Sequence, residues 1–111
     1  VGTHLRTQQL RSLLREYYPA ILAAFEPKRG GILRPEARAI LAAAPTPAAA
    51  AAKLTITQLR KLLAKAGRHR GIDTEAARLQ AVLRAEYLHH PRLVEDAFGM
   101  QALALLRQLN V

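Results

Sequence analysis

Few side chains in this sequence are placed to do covalent or metal chemistry. Ser12 is the one serine, and there is no cysteine. A serine nucleophile needs a base within reach, and helical spacing offers Ser12 only Arg15, with no glycine elbow to expose it. The lack of cysteine removes a thiolate nucleophile, a thiolate zinc site and a disulfide framework together. Tyr17 and Tyr18 would invite a tyrosine-recombinase reading, but the basic and histidine partners it requires are not arranged around them, and packing at a helix kink is the simpler role. His89 and His90 are adjacent, yet His4 and His69 are remote in the chain, whereas structural zinc takes four close ligands. His90 ahead of Pro91 reads instead as a helix cap. Glu95 and Asp96 are the one adjacent pair among eight acidic residues. Neighbouring helix positions diverge by about 100°, so the pair is a poor chelate for the divalent ions of a nuclease. Near a helix start both acids complement the macrodipole. The sequence thus predicts no catalytic residue, no metal site and no cofactor within this segment.

What the sequence concentrates is positive charge. Seventeen Lys and Arg oppose eight Asp and Glu, a formal net charge of +9. Residues 53–70 hold +6 of it, from Lys53, Arg60, Lys61, Lys65, Arg68 and Arg70, without an acid among them; residues 28–52 hold +3. Such a footprint points to a polyanion, and these six residues are the candidate nucleic-acid contacts. The bland alternative is a solvated face in an arginine-rich chain. A helix-turn-helix does not fit, because the helices expected at 56–66 and 74–88 are separated by seven residues, Gly67 to Asp73, where that motif uses a turn of about 3–4. The second helix is also neutral overall and offers Gln80 alone for base reading, so backbone or shape recognition suits the stripe better.

The elements that must carry this charge are helices. Of 111 residues 22 are Ala and 19 Leu, strong helix formers, while Val, Ile and Thr never gather into an alternating run. The fold expected is all-α, a single small bundle of six or seven short helices over residues 1–111 with a longer C-terminal helix. Thr3 would cap the first helix, which Pro19 breaks near Tyr18 before a second helix to Phe25. Residues 26–31 are a loop by composition. Pro35 opens a helix to about Ala43, and Thr46-Pro47 opens another through the alanine run. Thr55 and Gln58 match a capping box. The helix it starts sets Leu59, Leu62, Leu63 and Ala66 opposite Lys61, Lys65 and Arg68, and Gly67 ends it. Asp73 caps the next, with Ala76, Leu79, Leu83 and Tyr87 inward. The last helix runs from Pro91 to the end. Its Phe98, Ala102, Leu105 and Leu109 recur with the rhythm of a coiled-coil seam, the expected contact of a homodimer or higher assembly. The chain ends inside this apolar pattern, which reads as a piece of a longer protein. The longest apolar stretch, residues 39–52, is broken by Pro45, Thr46 and Pro47 and is too short to span a bilayer. With no secretory signal, a soluble cytoplasmic protein without membrane contact is expected.

Several blocks, in order, resemble bacterial transposases of the insertion-sequence-110 type. They are Gln9-Leu10-Arg11-Ser12-Leu13-Leu14-Arg15-Glu16-Tyr17-Tyr18-Pro19-Ala20, then Ala44-Pro45-Thr46-Pro47-Ala48-Ala49-Ala50. Leu59-Arg60-Lys61-Leu62-Leu63 with Ala66-Gly67-Arg68 follows, and then Ala97-Phe98-Gly99. Each block alone is ordinary helix chemistry; the order and spacing carry the resemblance. It implies the helical middle of an RNA-guided recombinase whose acidic, divalent-metal-binding domain precedes Val1 and whose serine nucleophile follows Val111. That middle is expected to link, to oligomerise, and to touch DNA or structured RNA during transposition, with no catalytic residue of its own. A purely protein–protein helical oligomerisation module is the alternative.

Overall fold

The structure, a computed structural model, describes residues 2–109, with side chains from His4 onward. Proline and threonine set most of the helix starts. α1 (Gly2–Tyr17) ends where Pro19 removes an amide, and α2 (Pro19–Phe25) restarts at once with that proline in its first turn. α3 (Pro35–Ala43) and α4 (Pro47–Lys53) begin the same way, and Thr46 Oγ1 accepts the Ala49 amide at 3.1 Å. α5 (Ile56–Lys65) is capped by Thr55, whose Oγ1 accepts from Gln58 N at 3.1 Å. Only half of the expected capping box forms, since the Thr55 amide donates to the Lys53 carbonyl. At the other end of α5, Gly67 has φ of +101°, Gly67 N donates to Ala64 O and Arg68 N to Leu63 O, each at 3.0 Å. This is the Schellman closure that only an unhindered residue at Gly67 allows comfortably.

Elsewhere the elements depart from the sequence reading. α1 already includes Gly2, so Thr3 is not its cap; the Thr3 side chain lies outside the described residues. Residues 31–33 of the expected loop margin form one 3₁₀ turn, Gly31–Leu33. α6 (Ile72–Leu83) follows Gly71 in the left-handed region, so Asp73 sits within the first turn instead of capping it. The helix also stops at Leu83, five residues before the end its periodicity suggested. The chain then leaves helical geometry to bring His89 and His90 beside Glu95 and Glu16, and Tyr87 still reaches the core edge. α7 (Arg92–Leu109) starts after Pro91. His90 is not its side-chain cap: Glu95 Oε2 reaches back to accept the His90 amide at 3.2 Å, and His90 Nε2 lies 3.1 Å from Glu16 Oε1.

These seven α-helices, with no strand among the described residues, share one cluster of buried side chains. Leu10, Leu14 and Tyr17 come from α1, Ile21 and Phe25 from α2, Ile40 and Leu41 from α3, Leu59 and Leu63 from α5, Leu79 from α6, Ala102 and Leu106 from α7. α1 packs along α7, α5 along α6, and α3 touches both pairs. The pairing of α1 with α7 is antiparallel, since Tyr17 stacks on Phe98 with ring centroids 5.5 Å apart while Gln9 and Leu13 lie by Leu105. The Tyr17 hydroxyl donates to the Pro45 carbonyl at 2.6 Å, tying this pair to the α3–α4 connector. Gly99 makes the approach possible: a Cβ there would lie 2.7 Å from Thr46 Cγ2 and 3.2 Å from Pro45 O. The Cα radius of gyration is 13.1 Å, as expected for a packed chain of this length, about 13 Å, so α7 lies along the body. No helix among the described residues is long and apolar enough to cross a membrane.

Candidate nucleic-acid interface

α5 positions the basic stripe. Leu59 and Leu63 are fully buried, which turns Lys61 and Lys65, four residues apart, together into solvent. Lys61 and Lys65 have long, mobile stems and no ion-pair partner in the described structure. Arg60 lies beside them and pairs with Asp73 of α6, Nε to Oδ1 2.8 Å, with both groups largely in solvent. An exposed pair of this kind contributes little to stability and opens readily to another anion.

The other three predicted residues are placed differently. Lys53 ends α4 and lines a shallow groove against Arg92, Asp96 and Met100 of α7, away from the stripe. Arg70 is exposed in the α5–α6 connector, its carbonyl accepting Arg68 Nε at 2.8 Å. Arg68 is half-buried and held: besides that bond, its Nη1 lies 3.3 Å from Glu36 Oε2. The same carboxylate takes Arg34 Nη2 on Oε1 at 2.9 Å. Arg68 is therefore a structural cation as much as a surface one, and reversing its charge would set a carboxylate against the buried Glu36. A charge-reversal test that includes Arg68 cannot leave the fold undisturbed.

Sequence reasoning passed over Glu36 and Arg34. Their segment was the second most basic stretch, but its joining to Arg68 across 32 residues is a product of α3 packing on α5 and carried no local signal. A second buried acid, Glu75, binds Arg78 through both oxygens at 2.8 Å, and Arg78 Nη2 also donates to the Ala24 carbonyl at 3.0 Å. The Arg78 hydrogen bonds hold the Glu75 carboxyl below its ordinary range against the opposing effect of burial.

The residues considered for catalysis do not converge. Ser12 is exposed in a shallow groove beside Gln101 and Leu105. Glu95 is buried and bonded to His89 Nδ1 at 3.1 Å, while Asp96 is exposed and faces Arg92 at 3.6 Å. Tyr17 and Tyr18 are buried at the helix break, and burial pushes both phenols far above their ordinary range. With residues 83–90 they line a half-open cavity of about 710 Å³. Among the described residues, no three metal-ligating side chains come together.

The expected subunit seam faces the chain's own core. Ala102 is fully buried, and Phe98, Leu105 and Leu109 are half-buried against the cluster, with Phe98 on Tyr17. The large apolar residues that α7 leaves to solvent are others, Leu93 at 82% exposure, Met100 at 73% and Val94 at 40%.

No protein-family model matches the chain, and no solved structure matches it. Over 102 residues, 92% of its length, it is 60% identical to a protein of Streptomyces coelicolor described as "Mini-circle putative transposase for IS117". The chain spans about a quarter of that relative, 24% of its length. The bundle is therefore similar, over most of its own length, to about a quarter of that relative.

Proposed function

We propose that this chain is a non-catalytic helical module of a protein that recombines DNA during insertion-sequence transposition, and that it binds nucleic acid through α5 and the connector after it. The observation that carries the proposal is the exposed, unpaired Lys61–Lys65 stripe within the eighteen residues that hold +6 of the +9 net charge. The similarity to a transposase supplies the polyanion this charge suits. Phosphate contacts by lysine and arginine give affinity without sequence readout. The module would act in the cytoplasm and join parts of the protein that carry the divalent-metal and nucleophile chemistry.

The test is a titration of the chain against labelled duplex and structured RNA at low and high salt. Binding that weakens steeply with salt supports the reading, and a chain that binds neither overturns it. A second reading, oligomerisation alone, draws on the exposed Leu93 and Met100 of α7. It predicts self-association in sedimentation that Leu93→Glu with Met100→Glu abolishes, in a chain with no nucleic-acid affinity.

A further inference from the structure

Two turns of the chain and one side of α6 converge on a second basic surface that begins where the α5 stripe ends. Arg34 and Arg68 bind the buried Glu36, Arg78 binds the buried Glu75, and Lys28, Arg29 and Arg70 lie in the same two turns. The acids neutralise only part of this charge. Their first effect is positional: Glu36 clasps Arg34 and Arg68 at once, so residues 28–34 and 68–70 become one face. Backbone carbonyls hold the same guanidiniums from the other side, Arg29 O on Arg34 Nη1 at 2.9 Å and Arg70 O on Arg68 Nε at 2.8 Å. One turn glycine leaves room for this: Arg34 Cγ lies 3.3 Å from where a Gly30 Cβ would stand.

Each guanidinium carries five N–H donors in a fixed fork. These bonds engage two donors apiece on Arg34 and Arg68, which leaves donors on arginines whose orientation is already set. Arg29 and Arg70 flank them with exposed side chains, and Lys28 stands by Glu75. Cations held this close repel one another, and the arrangement is relieved by an anion with several oxygens, bound by charge-assisted and bidentate contacts. Charge spread over residues 28–34 and 68–70 suits a chain of phosphates better than one small ion.

We infer that the Glu36-centred arginine face is a second phosphodiester-binding surface, continuous with Lys61 and Lys65 through Arg68, so that a nucleic-acid backbone crosses from α5 onto the turn before α3. The inference rests on the nucleic-acid reading above and extends it to Lys28, Arg29 and Arg34, which lie outside the most basic stretch of sequence.

The experiment uses the whole chain, fluorescein-labelled duplex and hairpin RNA, and anisotropy titrations over a salt series. Two double variants are compared, Lys28→Ala with Arg29→Ala and Lys61→Ala with Lys65→Ala, both at surface positions and both checked for helicity by circular dichroism. Each lost phosphate contact lowers the slope of log affinity against log salt by about 0.9 on duplex. Both variants should therefore flatten it by nearly two units, and Lys28→Arg with Arg29→Lys should keep it. A normal slope in the Lys28/Arg29 variant alongside a lowered one in the Lys61/Lys65 variant overturns the inference and leaves the stripe standing. Absence of binding by the unaltered chain, or binding of polyglutamate in place of both nucleic acids, overturns the broader reading as well.

Discussion

Tyr17 and Tyr18 are neighbours, are both buried, and should respond oppositely to loss of the hydroxyl. Both phenols are protonated at neutral pH, and burial raises them further above their ordinary value. Tyr17 uses its proton, donating to the Pro45 carbonyl at 2.6 Å, whereas the Tyr18 hydroxyl is buried with no partner among the described residues. Tyr17→Phe keeps the ring on Phe98 but removes the donor from Pro45. A typical hydrogen bond contributes about 0.5–1.5 kcal/mol net, and an acceptor left unsatisfied in the interior raises the loss to about 1–3 kcal/mol. For a chain of this size each kcal/mol moves Tm by roughly 4 °C, so Tyr17→Phe should lower it by roughly 4–12 °C. Tyr18→Phe removes a hydroxyl whose desolvation nothing offsets, a cost of about 1–3 kcal/mol in proteins. Its stability should equal or exceed that of the unaltered chain. Urea unfolding followed by far-ultraviolet circular dichroism measures both. A Tyr17→Phe chain as stable as the parent, or a Tyr18→Phe chain as damaged as Tyr17→Phe, would refute the assignment of the Pro45 bond.

Gly99→Ala should destabilise the chain although alanine is the better helix former. The propensity gain is about 1 kcal/mol, but a methyl 2.7 Å from Thr46 Cγ2 and 3.2 Å from Pro45 O forces α7 away from the connector. Overpacking costs about 1–3 kcal/mol, and a raised unfolding midpoint in urea would show that α7 does not sit this close. Arg68→Glu should lose stability as well as charge, because Glu36 then faces a second carboxylate; Lys61→Glu with Lys65→Glu should leave the melting curve nearly unchanged. The Glu75 carboxyl lies below its ordinary 4.5 when folded, so its contribution is complete above about pH 4.5 and is lost as pH falls through the lowered value. Glu75→Gln should accordingly show a smaller loss of stability than the parent between neutral and acid pH, and parallel curves would remove the Arg78 bond from the account.

The helix starts that were legible are those in which one residue enforces the backbone. Pro19, Pro35 and Pro47 open helices where their fixed φ and missing amide favour it, and Thr46 and Thr55 cap as their side chains allow. Gly67 ends α5 for the same local reason. Asp73 misled because Gly71 in the left-handed region starts α6 at Ile72, and His90 because its ring turns to Glu16 while Glu95 takes its amide. The early end of α6 had no local signal, since the three-and-four-residue spacing continues to Tyr87 while the chain is drawn toward α1. The wide apolar stripe of α7 suggested a partner subunit because a single helix does not reveal that α1 already lies along it. The candidate site was legible as a density of charge and not as a surface. Lys61 and Lys65 followed from the burial of Leu59 and Leu63, but Lys53 faces α7 and Arg68 belongs to Glu36, relations that only the packing of α3, α4 and α7 establishes.

The most direct test is the salt dependence of nucleic-acid binding by the unaltered chain, measured by anisotropy on duplex and structured RNA from about 50 to 200 mM monovalent salt. With Lys61, Lys65 and Arg70 each meeting a phosphate, log affinity for duplex should fall against log salt with a slope of magnitude at least about 2.7. A flat response, or no binding to either nucleic acid at the lowest salt, would contradict the account.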